Sequence, residues 1–235
     1  MLMMCSSDGY AFRSQVFADD ELAALRDAVE AAARRAERLG AAAGEAGVSL
    51  SDRGHRLQTV PGDPPTSLHW EPDTAVPTVR NLYPVTHLDP RLAARWTDPR
   101  LTGPAAELLG VPAVEPLSSK ISFKRARVGS EFRWHQDHTF LRRFLGPAAR
   151  HVVTAMVLLD DADAENGALT VVPGTQLGEL RDDDEPPRTG DAEPVLVEAK
   201  AGSVVFFHSL VLHRSDPNRS DRDRRAMFYL FRPAG

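Results

Sequence analysis

Cysteine is almost missing: Cys5 stands alone among 235 residues, so no intramolecular disulfide and no thiolate-rich zinc site can form. Any bound metal must rely on His and carboxylate ligands. No run of about 18 apolar residues is present to span a bilayer, and the start MLMMCSSDGY lacks the basic region and long apolar stretch of a secretory signal. A basic excess is missing too. The 28 Lys and Arg face 33 Asp and Glu, a net charge of −5, which leaves no broad positive field for a phosphate backbone or an anionic membrane. These absences predict a soluble, cytoplasmic protein with neither nucleic acid nor membrane as partner. What is present is 42% hydrophobic residues, enough for one sizeable core, and a length that suits one domain over residues 1–235.

Two textures divide the chain. Up to residue 116 it is expected to be helical and rich in loops. Leu22, Leu25, Val29, Ala32, Ala36 and Leu39 recur at helical spacing, opened by Asp19, Asp20 and Glu21 and closed by Gly40. From Ala41 to about Val76 the pattern dissolves among Pro61, Pro64, Pro65 and Pro72, which predicts a long loop. Asp89-Pro90 and Asp98-Pro99 read as caps with proline in the first turn, starting helices at Pro90–Trp96 and up to Gly110. Past residue 117 come short β-type runs: Ile121–Val128, His151–Leu159, Ala168–Val172, Val195–Val197, Ser203–Phe207 and Ala226–Phe231. No helical stripe separates them, so an antiparallel sandwich or barrel is expected rather than a doubly wound sheet. Runs such as Val152–Leu158 are apolar on both faces, which suits strands covered on both sides.

Metal chemistry is suggested by Arg133-Trp134-His135-Gln136-Asp137. On a strand, His135 and Asp137 would share a face and could converge on one ion; one distal His would complete the 2-His-1-carboxylate triad that leaves positions open on non-haem iron(II). Alone the signal is weak, because eight His and twenty Asp predict about 0.7 such matches by chance. His87-Leu88-Asp89 shares the spacing, but Asp89 is better explained as a helix cap. His69-Trp70-Glu71 falls in the Pro-rich stretch. For the third ligand, spacing leaves His138, His151, His208 and His213 open. Periodicity likewise cannot choose between Arg224 and Arg225 as an inward-facing arginine, since both faces of that strand are apolar.

Several ordered motifs then coincide: His135-Gln136-Asp137; Leu159-Asp160-Asp161 followed by Asn166-Gly167-Ala168-Leu169 and Val172-Pro173-Gly174-Thr175; His213-x-Ser215-x-x-Asn218-x-Ser220; Arg224; and, near the start, Asp8-Gly9-Tyr10. Together they resemble the phytanoyl-CoA dioxygenase (PhyH) family of iron(II)/2-oxoglutarate oxygenases. That resemblance implies a mainly β fold, a double-stranded β-helix or cupin-like jelly roll at 117–235, with the N-terminal helices packed on one sheet. It implies Fe(II) held by His135, Asp137 and His213, and 2-oxoglutarate held by Arg224 with Ser215. Lys124 and Val153 match two further cosubstrate positions, Val153 replacing a tryptophan. With O2 the family hydroxylates a small molecule and releases succinate and CO2. Asp137 stands where related halogenases carry Ala or Gly, which favours hydroxylation, although desaturation or cyclisation would use the same ligands. Ser118 replaces a glutamine that contacts substrate in ectoine hydroxylase, so ectoine is not the implied substrate. Pro173-Gly174-Thr175-Gln176 departs from the usual Pro-Gly-Ser-His.

The rival readings are a cupin-like metal site without 2-oxoglutarate and a non-catalytic ligand-binding module. The acidic run Asp160–Gly167 fails as a calcium loop, because Asn166 and Val172 occupy its glycine and terminal glutamate positions; it is expected to be a turn. Asp182–Asp191 is expected to be a solvated loop, and Arg142-Arg143 either a solvated pair or an anchor for an anionic group. Oligomeric state has no sequence signal.

Overall fold

The computed structural model describes residues 3–51 and 55–235. Its long helix α1 (Asp19–Ala43) sets three acidic residues against the positive end of the helix dipole, and Glu21 also accepts from the Ala18 N–H at 3.1 Å. The expected stripe Leu22, Leu25, Val29, Ala32 and Ala36 is its buried face. Leu39 is not part of it and is 37% exposed. Gly40 does not end the helix; it admits a close neighbour, since an added Cβ would lie 2.9 Å from Gln58 Oε1, and Gln58 Nε2 donates to the Gly40 carbonyl. The short helices α2 (Pro90–Arg95) and α3 (Pro99–Leu109) begin as expected, with Asp89 and Asp98 accepting from the backbone N–H groups of Arg91 and Arg100.

The strands are β1 (Met3–Cys5), β2 (Tyr10–Arg13), β3 (Val48–Leu50), β4 (Arg56–Val60), β5 (Thr66–Trp70), β6 (Val79–Tyr83), β7 (Val114–Lys124), β8 (Phe132–His135), β9 (Val153–Leu158), β10 (Leu169–Val172), β11 (Val195–Val197), β12 (Val204–His208), β13 (Leu212–Ser215) and β14 (Arg224–Pro233). A fourth helix, α4 (Asp137–Leu145), follows β8 directly. Among the described residues, ten strands form one antiparallel sheet in the order β1-β2-β12-β9-β14-β7-β6-β5-β4-β3, and four form a second, β11-β10-β13-β8. This is the expected mainly β architecture with helices on one sheet.

The loop expected over 41–76 is corrected by the structure. Apart from residues 52–54, which lie outside the described residues, it carries β3, β4 and β5, a meander that pairs through β6 onto β7. The prolines fall between these strands, where a missing N–H breaks no ladder. The N-terminal half is therefore not simply helical and loop-rich: six strands of the larger sheet come from it.

The central strands of the larger sheet are buried on both faces. Toward the helices, Val153, Ala155, Val157, Phe206, Met227 and Tyr229 join one apolar cluster with Leu22, Leu25 and Leu101. Toward the smaller sheet, Met156, Leu158, Val205, Phe207 and Ala226 pack with Leu169, Val171 and Val197. Odd and even positions of β9 thus serve different cores, as strand alternation requires. Arg225, on the helix side of β14, bonds to Asp160 at 2.8 Å and Glu30 at 3.0 Å, joining β14, the turn after β9 and α1. The run Asp160–Gly167 is a turn, with the Asp163 side chain accepting from the Glu165 and Asn166 N–H groups.

Arg100 donates to Glu21 at 2.8 and 3.0 Å, and these hydrogen bonds hold the carboxyl at about 2 instead of 4.5. A depressed folded value means stability that is complete above 4.5 and is lost as pH falls toward 2. Acid unfolding followed by circular dichroism should therefore be flatter across that window in Glu21→Gln, which should also be less stable at neutral pH. A second expected outcome concerns Gly167, at φ 76°, where an added Cβ would lie 2.1 Å from the Asp216 carbonyl oxygen. Gly167→Ala should cost about 2 kcal/mol or more in urea unfolding, through the positive φ and the forced shift of Asp216.

Candidate metal centre

Three short elements bring the site together. β8 ends at His135, Gln136 caps α4, and Asp137 is the first helical residue. His135 and Asp137 therefore do not share a strand face as expected; they converge because the chain turns from strand into helix between them. His213 arrives from β13, directly opposite His135 in the antiparallel ladder. The two imidazole centroids are 4.1 Å apart, and Asp137 Oδ1 lies 3.8 Å from both Nε2 atoms. Ligand atoms of all three residues fall within 4.8 Å of one another. Among the described residues no other cluster of His, Cys, Asp and Glu does so.

Backbone carbonyls set both tautomers. His135 Nδ1 is 2.7 Å from the Arg133 carbonyl and His213 Nδ1 is 2.9 Å from that of Val211. A carbonyl only accepts, so each Nδ1 carries the proton and each Nε2 presents a lone pair to the centre. Burial pushes both imidazoles down, toward the neutral form a ligand needs, although Asp137 pulls the other way. Burial alone would raise the Asp137 carboxyl; His213, His135 and Lys120 outweigh it and hold it low, and Thr154 Oγ1 donates to its Oδ2 at 2.9 Å. Two neutral nitrogens and one carboxylate are the donor set that suits a divalent iron with open positions.

The competing histidines stand apart from this cluster. His87 Nε2 pairs with Thr66 Oγ1, His69 Nε2 with the Tyr83 hydroxyl, and His208 Nδ1 accepts from the Leu210 N–H. His138 is the buried residue of α4, its backbone N–H donating to the Ser209 carbonyl and its Nδ1 without a partner among the described residues. His151 is exposed. Glu71 is no loose ligand either, since it is buried against Arg80 and Ser130.

Arg224, which periodicity could not place, faces the inter-sheet space. It is 2% exposed, with only Nη2 near a protein acceptor, Ser215 Oγ at 3.4 Å. Its Nε and Nη1 are buried without a partner among the described residues. Burial lowers it to about 10, so it remains cationic at neutral pH. Unpaired buried guanidinium nitrogens are costly, and a carboxylate is the group whose geometry satisfies them. Ser215 Oγ donates to the Gly167 carbonyl at 2.7 Å, which fixes it beside the arginine. The rest of that motif builds a turn: Asn218 Nδ2 donates to the carbonyls of Lys124 and Arg222, and its Oδ1 accepts from Ser220.

Two expected pocket residues behave differently. Val153 lies on the helix side of β9, within the apolar cluster shared with α1 and α3, so it lines no cosubstrate pocket; Thr154 and Met156 present the inward face instead. Lys124 is fully buried, but its Nζ donates to the carbonyls of Ser130, Ser215 and Asp216, tying the approach to β8 and the end of β13 to β7. Burial, with Arg224 nearby, lowers it to about 6. Residues that sequence reasoning passed over also stand at the site: Thr154, and Lys120 between the Phe132 and Phe228 rings. Thr154 sat inside an apolar run, and Lys120 carries no motif of its own.

Similarity to known proteins bears on this geometry. The phytanoyl-CoA dioxygenase (PhyH) family model matches residues 5–226. The ectoine dioxygenase of Bordetella parapertussis is 28% identical over 247 residues, covering 95% of this chain and 71% of that protein. The L-proline trans-4-hydroxylase of Streptomyces griseoviridis is 31% identical over 173 residues, covering 62% of this chain and 64% of that protein. Among solved structures, the non-heme alpha ketoglutarate dependent carbocyclase SnoK from nogalamycin biosynthesis superposes with a TM-score of 0.71 at 23% identity, over 97% of this chain and 81% of that one. EctD from S. alaskensis with 2-oxoglutarate and 5-hydroxyectoine gives 0.67 at 22% identity, over 97% and 73%. The fold is therefore that of the jelly-roll oxygenases, and with nearly its whole length matched, this chain belongs to the phytanoyl-CoA dioxygenase (PhyH) family.

Proposed function

We propose that the protein is an Fe(II)- and 2-oxoglutarate-dependent dioxygenase that hydroxylates an unactivated C–H bond of a small molecule. The observation that carries this is the pairing, across one inter-sheet space, of a His135–Asp137–His213 donor set with a buried arginine whose Nε and Nη1 have no protein partner. A metal site working without 2-oxoglutarate would have no use for that arginine.

When bound, iron(II), 2-oxoglutarate and O2 supply oxidative decarboxylation to succinate and CO2, coupled to hydroxylation of the substrate. The residues supply position. His135 and His213 offer Nε2, oriented by their carbonyl bonds, and Asp137 offers Oδ1 while Thr154 holds Oδ2. Arg224 meets the distal carboxylate of 2-oxoglutarate, and Ser215 lies beside it. Lys124 acts at one remove, bracing the Ser130 and Ser215–Asp216 backbone that frames the pocket. Phe207, whose ring centroid is 4.8 Å from that of His213, keeps water from the inner side of the centre.

The partner is a small-molecule substrate, and the acidic balance of the chain disfavours nucleic acid. No described helix is long and apolar enough to cross a membrane. A cytoplasmic location suits both a ferrous centre, which needs a reducing environment, and a chain with one cysteine. We take residues 1–235 as one domain, a reading supported by a larger sheet assembled from both halves of the chain.

Anaerobic titration with iron(II) and then 2-oxoglutarate should produce a weak visible charge-transfer band, with succinate formed once O2 and substrate are added. Arg224→Gln should bind iron(II) as the parent does but need roughly 100-fold more 2-oxoglutarate to form the band, the cost of losing a buried charge pair. Asp137→Ala, with one of three ligands removed, should bind iron(II) more weakly than the parent and lose succinate formation. A band that forms equally well in Arg224→Gln, or none in the parent, overturns the proposal.

A further inference from the structure

β7 runs beside the centre, and alternation sends Lys120, Ser122 and Lys124 to one face. That face carries Ala226 and Phe228 on β14, paired opposite Ser122 and Lys120, and Asn81 on β6, paired opposite Ser122. It is the side of the sheet that Arg224 and Thr154 also face, Thr154 reaching Asp137 and Arg224 reaching Ser215.

Three polar groups in this row lack what polar groups near a core normally have. Ser122 Oγ and Asn81 Oδ1 are buried without a hydrogen-bond partner among the described residues. Lys120 is half-buried and makes no hydrogen bond or ion pair among them. Its Nζ lies 4.3 Å from the Phe228 ring centroid and 5.8 Å from that of Phe132. Its stem is thus packed and its charge held over aromatic faces, but no anion meets it. Burial disfavours its charge, and Arg80 and Arg224 add to that; Asp137 is the acidic group that opposes them, but the Asp137 oxygens are directed to Thr154 and the two imidazoles, so an anion brought by a ligand is what would hold the ammonium form. Arg80 is already engaged by Glu71 and the Glu131 carbonyl, and Lys124 by three carbonyls. On the reading that iron(II) and 2-oxoglutarate fill the centre, the cosubstrate's two negative charges go to the metal and Arg224. Among the described basic residues facing this space, Lys120 is the one left without an anionic partner.

We propose that Lys120 anchors an anionic group, a carboxylate or a phosphonate, carried by the primary substrate, with Phe228 and Phe132 flanking it and Ser122 and Asn81 available to its polar atoms. The substrate class is therefore a small organic acid with an apolar part. This rests on the iron and 2-oxoglutarate reading but assigns a group that the reading leaves unused. A purely structural lysine would behave otherwise. An unpartnered cation held for a ligand destabilises the empty protein, so its removal should stabilise it.

The test uses Lys120→Met and Lys120→Arg with three probes: 3-phenylpropionate, 2-phenylethylphosphonate and the neutral 3-phenylpropanamide. In the metal-free protein, Lys120→Met without probe should melt above the parent. At least one anion should raise the parent's melting temperature and the amide should not; the effective anion decides between carboxylate and phosphonate. Lys120→Met should bind that anion roughly tenfold or more weakly, with partial rescue in Lys120→Arg. In the protein loaded anaerobically with iron(II) and 2-oxoglutarate, the same anion should perturb the charge-transfer band of the parent, and Lys120→Met should form that band at unchanged 2-oxoglutarate concentration. The proposal is overturned if the amide acts as well as the acids, if neither acid acts, if Lys120→Met responds like the parent or melts lower, or if it loses 2-oxoglutarate. Failure of the parent to form any band overturns the iron and 2-oxoglutarate reading instead, and is visible separately from the metal-free melting data.

Discussion

Strand alternation across β9, β14 and β7 is the constraint on which everything else rests. These three lie in the middle of the larger sheet with an apolar layer on each side, so each residue is committed to one of two environments by parity alone. A shift of one residue in the β14–β7 register would exchange them, putting Arg224 among the helices and Arg225 in the metal space. The two arginines are chemically identical, and their partners differ completely. Arg225 closes a network with Asp160 and Glu30, while Arg224 keeps nitrogens free. The salt links on the helix side thus hold the register that aims Arg224 inward.

Much of this was legible in the sequence, and the failures share a cause. α1, the two proline-led helices and the strands of the double-faced sheet were visible because each carries a period or a cap. The ligands were identified through ordered motifs rather than by strand prediction, because β8 and β13 are four residues long and largely polar. The meander β3–β5 was hidden by its prolines and by polar residues facing the site, so it looked like loop. Val153 was misplaced for a related reason: in a run apolar on both faces, nothing in the residues says which side is in. Only Thr154, with its hydroxyl on Asp137, marks the inward parity, and a threonine inside an apolar run gives little warning.

Buried polar atoms without a partner among the described residues occur on both sides of the larger sheet. On the helix side they are scattered: Gln58 Nε2, Tyr229 and the arginine network have partners, while Gln58 Oε1, Trp70 Nε1 and Trp96 Nε1 do not. On the inward side, Arg224, Ser122 and Asn81 carry unmet hydrogen-bonding capacity within one patch of sheet. A folded chain that lives on a margin of a few kcal/mol retains such groups where a ligand completes them. Substrate and cosubstrate bound against this patch would stabilise the fold as they supply those partners.

The donor set and the arginine belong to different sheets. His135 and His213 sit on β8 and β13, Arg224 sits on β14, and what separates the two layers is the apolar packing of Met156, Leu158, Val205 and Ala226 against Leu169, Val171 and Val197. The thickness of that filling sets the gap that a cosubstrate must bridge between its two ends. Side chains that touch neither metal nor ligand therefore act as a spacer. Evolution could retune which dicarboxylate fits, or how tightly, by changing a methyl group in this layer while leaving every chemically reactive residue in place.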